Sequence, residues 1–248
     1  MDRRKAIAGF LIAAGAVSLG AVAFQAVRRR GGLSGINLLG LGRGQYIEEN
    51  TAARPPIVSR KRVGDKVITH YRANDISINS RVKLIQDRVY KSITEDPQTR
   101  EIATKIIAGC KSRDNMCEAQ AIYDAVRKRV RYIGDVTPIK FPDGEVDAID
   151  YFQSARRTWE MGAGDCDDHV VLITALLSVV GIPARLRVTS PSKNADWGHI
   201  YPIAGFPVTD PRKWIALDTT LESPTRMGHE VAFGRNLDYK RVTRDLPA

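Results

Sequence analysis

One cysteine, in the run Gly164-Asp165-Cys166-Asp167-Asp168, stands directly before an apolar stretch from Val170 to Val180 that ends in Gly181 and Pro183. In the first turn of a buried helix, the dipole and the unsatisfied backbone N–H groups favour a thiolate over a thiol, so Cys166 holds the position of a nucleophile. Thiol catalysis also needs a base beside the sulfur and a third group that orients the base. His199 lies in an extended-looking stretch, Gly198 to Ile203, and Asp218 closes the next one, Trp214 to Asp218. Adjacent antiparallel strands would set imidazole and carboxylate side by side at the start of the Cys166 helix. Taken singly, each residue has a plainer reading, since buried cysteines pack, core histidines hydrogen-bond and strand-end aspartates close turns. Together, and in this order, they spell a nucleophile, a general base and an orienting acid.

The aspartates crowd this thiol. Asp165, Asp167 and Asp168 oppose its ionisation, so the helix N-terminus and a protonated His199 must offset them. Two roles are open to these carboxylates: compensating the charge of the helix N-terminus, or supplying hard oxygen ligands to Ca²⁺ through Asp165 and Asp167. His169, three residues after Cys166, shares its helix face, but no second Cys/His pair at zinc spacing completes a metal site, and it reads as structural. His70 and His229 have no supporting context.

The elements that must position these groups are partly legible. Nine of the 11 residues from Val170 to Val180 are apolar, which makes a central helix, capped by Gly181 and stopped by Pro183. Ala184 to Thr189 alternates as a half-buried strand, with Leu186 and Val188 on one face and Arg185 and Arg187 on the other. The stretch from Gly205 to Lys213 reads as a turn. Upstream, apolar positions recur at helical spacing from Ser80 to about Arg131, with a helix start at Asp96-Pro97 and a turn from Cys110 to Cys117. Those two cysteines read as half-buried free thiols, with a disulfide as the alternative. Residues 63 to 80 alternate weakly and are compatible with a short strand, and Tyr132 to Pro138 looks extended. Helices, a central helix and then strands imply an α+β domain with an antiparallel sheet.

Combined with Gly181-Ile182-Pro183-Ala184-Arg185, Trp197-Gly198-His199 and Trp214 to Thr220, the cysteine motif resembles the core of the transglutaminase-like superfamily, a branch of the papain-like fold. The resemblance spans roughly residues 118 to 221. It implies Cys166 as nucleophile, His199 as general base and acid, and Asp218 as orienting carboxylate, acting on a peptide or protein amide. The approach from Asp150 to Gly164 is also similar to that of bacterial and phage members, including bacterial transglutaminase-like cysteine proteinases. In that setting Gln153 is a candidate donor to the oxyanion, beside the backbone N–H of Cys166. Some proteinases of that branch use calcium near this motif, so the resemblance leaves calcium open while requiring no cofactor.

The chain has a formal net charge of +10, but residues 1–62 carry 11 Lys/Arg against 3 Asp/Glu, and the other 186 carry 27 against 25. Basicity confined to an extension suits a membrane flank better than a nucleic-acid-binding face. Residues 6–27 are 22 uncharged positions between Arg3-Arg4-Lys5 and Arg28-Arg29-Arg30, long enough to cross a bilayer. An uncleaved single-pass anchor is expected, against a signal peptide cut near Ala21-Val22-Ala23 or a virion-internal segment. The expected division is a membrane segment over 1–30, a linker over 31–62 and a catalytic domain over 63–248. The expected activity is a cysteine-dependent amide hydrolase, a protease or a peptidoglycan peptide amidase. The alternatives are a transamidating acyltransferase and a non-catalytic membrane or virion scaffold.

Overall fold

The computed structural model describes residues 45–47, 50–53, 57–63, 66–71, 76–134, 138–140, 146–148, 152–222, 225–230 and 232–239. In chain order the elements are β1 (Gln45–Ile47), β2 (Ile57–Val63), β3 (Lys66–Tyr71), α1 (Ile78–Thr94), α2 (Pro97–Ile107) and α3 (Asn115–Arg129). There follow β4 (Arg131–Tyr132), β5 (Pro138–Lys140), β6 (Val146–Ala148), α4 (Ala155–Met161) and β7 (Ala163–Gly164). The last are α5 (Cys166–Val179), β8 (Ala184–Ser190), β9 (His199–Phe206), β10 (Lys213–Ala216) and β11 (Arg235–Tyr239). The anchor expected over residues 6–27 lies outside the described residues, and among those described no helix is long and apolar enough to cross a membrane.

Local chemistry sets the helix starts. The side chains of Ser77, Asp96, Asp114 and Ser154 accept backbone N–H groups at the starts of α1, α2, α3 and α4, and Pro97 occupies the first turn of α2. α5 has no polar face to give to solvent; all of it is buried except Cys166 and Ser178. The other four helices and the sheet strands β8 and β9 therefore pack around it. Leu172, Ile173, Leu176 and Leu177 meet Val82, Ile85, Ile122 and Val126 in one core that continues to Leu186, Val188 and Ile200 on the sheet. Arg100 of α2 donates to the Val179 carbonyl at 3.0 Å, placing a cation at the negative end of the α5 dipole.

The main sheet runs β1-β11-β8-β9-β10, antiparallel except for the parallel β1–β11 pair. The sheet agrees with the α+β expectation, with three differences. β11 was not foreseen, and by pairing edge to edge with β8 it sets Asp238 beside Arg187 on the face where Arg185 and Arg187 were expected to be solvated. Arg187 instead makes a two-pronged bond to Asp238, at 2.8 and 2.6 Å, and reaches Glu230 at 2.9 Å. Arg185 stacks on Trp214 at 3.5 Å. Ordered contacts also occur before residue 63: β1 pairs with β11, buried Asn50 donates to Asn79 and Gln86, and β2 pairs with β3 in a hairpin.

Cys110 and Cys117 form a disulfide, correcting the reading of free thiols. The turn between α2 and α3 returns the chain so that the two Cα atoms lie 5.8 Å apart. Closing a loop of this length restricts the unfolded chain, and replacing both cysteines with serine is expected to cost about 2–3 kcal/mol. Urea unfolding of the double variant measures this, and a midpoint equal to the parent's would show that the bridge adds nothing.

Candidate active site

Asp165 is the N-cap of α5. Its Oδ1 accepts the N–H groups of Asp167 and Asp168, both at 3.1 Å, so its charge faces the positive end of the helix. Cys166 comes next, half-buried and more exposed than the aspartates that flank it. Its Sγ lies 3.7 Å from Asp167 Oδ1. Capping is thus the role the geometry gives Asp165. Among the described residues no group of three or more acidic, His or Cys side chains gathers in a way that could hold a metal, and no step is derived through one.

The second and third candidates meet directly. His199 opens β9, opposite Thr189 of β8, and the β9–β10 register sets Ala216 against Ile203. Continuing that register past the strand end brings Asp218 alongside Tyr201, the next residue on the same face as His199. His199 Nε2 and Asp218 Oδ2 are 2.7 Å apart. Asp218 is 1% exposed, and its other oxygen accepts the Thr220 hydroxyl at 2.6 Å and the Thr220 N–H at 3.1 Å. Burial alone would raise its pKa. The hydrogen bond and charge of His199, followed by the two Thr220 bonds, outweigh burial and hold the carboxyl below the usual carboxylate range. With Nε2 committed to the carboxylate, Nδ1 is the ring nitrogen left for a thiol.

Gln153 is placed differently from its expected role. Its side-chain amide donates to Asp168 Oδ2 at 2.6 Å and to the Ala163 carbonyl at 3.2 Å, and its backbone N–H donates to Asp168 Oδ1 at 2.7 Å. Both amide hydrogens are engaged, so in this arrangement Gln153 braces the loop before the nucleophile instead of offering a donor to an oxyanion. Asp168 is the other half of that brace, and it closes against Gly164. A Cβ on Gly164 would fall 2.6 Å from Asp168 Cβ and 2.7 Å from its Oδ2. Gly164→Ala is expected to cost about 1–3 kcal/mol and to displace the start of α5, measurable as a lowered unfolding midpoint; an unshifted midpoint would remove the brace from the account.

His169 has a definite place. It is 1% exposed, and its Nδ1 lies 2.7 Å from Thr219 Oγ1. Among the described residues Nε2 finds no partner of hydrogen-bonding geometry, although the backbone of Arg131 lies close enough to favour the protonated ring somewhat. Burial dominates and pushes the ring's pKa down to about 4. The sign follows: between about 4 and 6.5 the unfolded chain binds a proton that the folded chain does not. The contribution of His169 is therefore complete above pH 6.5 and falls by about 3 kcal/mol on acidification to pH 4. Urea titrations across that range test this, with His169→Leu expected to flatten the dependence.

Sequence reasoning did not foresee the polar group beside His199. The Tyr201 ring lies 5.4 Å from the imidazole, and its hydroxyl donates to Glu230 at 2.7 Å, which is held in turn by Arg187. Burial, then the bond to Glu230, raises the Tyr201 pKa far above the ordinary phenol range, so this hydroxyl acts as a donor and not as a titrating group. The alternation of Arg185 and Arg187 was the only signal, and it lacked the partner strand.

The sequence profile described as the Transglutaminase-like superfamily matches residues 100–219, a segment that contains Cys166, His199 and Asp218. No curated protein matches the sequence. Among solved structures, a candidate cysteine protease from Cytophaga hutchinsonii is 21% identical over 66% of this chain and 54% of its own, with a TM-score of 0.40. A candidate protease from Parabacteroides distasonis is 13% identical over 56% of this chain and 29% of its own, with a TM-score of 0.37. Calcium-bound LapG of Legionella pneumophila is 21% identical over 57% of this chain and 74% of its own, with a TM-score of 0.36. The chain thus spans about half the length of the first of these and under a third of the second. With its cysteine-headed central helix packed on a largely antiparallel sheet, the segment from residue 100 to residue 219 forms a transglutaminase-like superfamily core, an α+β fold of the papain-like kind.

Proposed function

We propose that the chain is a cysteine-dependent amide hydrolase in which Cys166, His199 and Asp218 act as a triad. The observation that carries this reading is the 2.7 Å bond between His199 and buried Asp218, in a domain whose central helix begins at a solvent-reaching cysteine. Asp218 holds the imidazole by Nε2, and Nδ1 accepts the thiol proton. The thiolate then attacks the amide carbonyl, forming a C–S bond and a tetrahedral oxyanion. Asp165 takes up the N–H groups of Asp167 and Asp168, and the N–H of Cys166 itself is assigned to the oxyanion. The imidazolium passes its proton to the departing amine as the C–N bond breaks. Water, deprotonated by the same ring, then cleaves the thioester and restores the thiol.

Peptide or protein amides, including those of peptidoglycan peptides, are the substrate class, and water is the preferred acceptor over a second amine. Residues 6–27, uncharged between two basic clusters, are proposed to attach this domain to a membrane. The full chain should cleave a panel of peptide and peptidoglycan-derived amides and lose that activity when Cys166 is alkylated. Cleavage that continues with the thiol fully blocked would exclude the mechanism.

A further inference from the structure

Resting on the triad reading above, we propose that His169 is a positioning residue: through Thr219 it ties the loop bearing Asp218 to the first turn of the helix bearing Cys166. His169 lies three residues beyond Cys166, about 4.5 Å along the same helix. Its partner Thr219 sits between the residues that orient the base, since Asp218 bonds His199 and Thr220 donates twice to Asp218. The loop is held from α3 as well, where Arg127 Nη1 donates to the Leu221 carbonyl at 2.6 Å. Leu217 N–H donates to the Pro202 carbonyl at 2.9 Å and fixes the side nearest β9. Of the loop's ties described here, the His169–Thr219 bond is the one that runs to the nucleophile's own helix, so it sets the imidazole relative to the sulfur.

Stability alone does not account for a histidine at this position. A leucine would bury without desolvating a ring, and Nε2 is a buried polar atom with no partner of good geometry among the described residues. The imidazole therefore contributes geometry at some cost in stability. That distinction gives the test, because replacing both partners of a buried hydrogen bond with apolar groups is often nearly neutral for folding.

The experiment measures the rate at which iodoacetamide alkylates Cys166 in the full chain from pH 5 to 10, with unfolding midpoints recorded alongside. The variants are Thr219→Ser, Thr219→Val and the double change His169→Leu with Thr219→Val. In the parent the rate should rise well below the value of about 8.5 usual for a free thiol. Thr219→Ser keeps the hydroxyl and should match it. Thr219→Val and the double variant should lose on the order of tenfold in rate near pH 6.5, their profiles moving toward that of a free thiol, while the double variant stays folded. A double variant that folds and keeps the parent profile overturns the proposal, as does loss of folding in both variants that lack the hydroxyl, which marks the bond as structural. A parent whose own profile is that of a free thiol refutes the triad itself, a separate outcome.

Discussion

Cys166→Ala is expected to lower kcat for amide cleavage by about a millionfold, the scale on which removing a covalent nucleophile acts. The change should touch little else. Cys166 is half-buried at the helix start, and the capping bonds of Asp165 and the brace between Asp168 and Gln153 involve neither its sulfur nor its Cβ. The unfolding midpoint should therefore stay close to the parent's, and substrate should still bind, so that KM changes far less than kcat. Cys166→Ser should be nearly as inactive, because an alkoxide is far harder to form than a thiolate beside the carboxylate of Asp167, 3.7 Å from the sulfur. Turnover by the purified variants, with circular dichroism to confirm folding, decides the matter. A folded Cys166→Ala protein with a tenth or more of the parent's turnover would mean that the chemistry lies elsewhere, and the scaffold alternative would gain if the parent itself turned nothing over.

How much of this was legible before the structure depended on the range of the interactions. α5 announced itself because its environment is the same on every side, and a helix that is apolar all round can only be central. Likewise, Asp96-Pro97 marks a helix start through a contact only two residues long. His199 and Asp218 were legible as a pair because consecutive strands are usually neighbours. The failures are non-local. β11, Arg-Asn-Leu-Asp-Tyr, shows no apolar run of its own, and Asp238 can be buried only because Arg187, 51 residues earlier, supplies its partner. Without β11 the outer face of β8 looks solvated, and the network of Arg187, Glu230 and Tyr201 beside the imidazole stays hidden. α4, at seven residues, is too short for a 3.6-residue period to show. The brace that Gln153 makes was hidden for a related reason: nothing in the sequence says that Asp168, in the first turn of the next helix, will hold its amide. Nor could spacing decide how closely the turn brings Cys110 to Cys117.

Asp218→Asn should cost about ten-thousandfold in turnover at neutral pH, an effect set by tautomer and not by lost shape. Thr220 donates its N–H and its hydroxyl to one oxygen of Asp218, so in the variant the amide oxygen must stay on that side to accept them. The amide NH₂ is then turned toward His199 Nε2, which can meet it only as an acceptor. The ring proton moves to Nδ1, and a thiol approaching there finds a donor where it needs a base. The same substitution should alter the acid limb of stability. Asp218, held below the usual carboxylate range by His199 and Thr220 against the effect of burial, contributes stability that is present above the unfolded pKa of about 3.9 and is lost as pH falls through its lower folded value. The asparagine variant should lack that limb, giving a flatter unfolding curve below pH 4. If its turnover stays within tenfold of the parent's while the fold is intact, the carboxylate does not orient the base, and the 2.7 Å contact is a structural bond between a strand and the loop beside it.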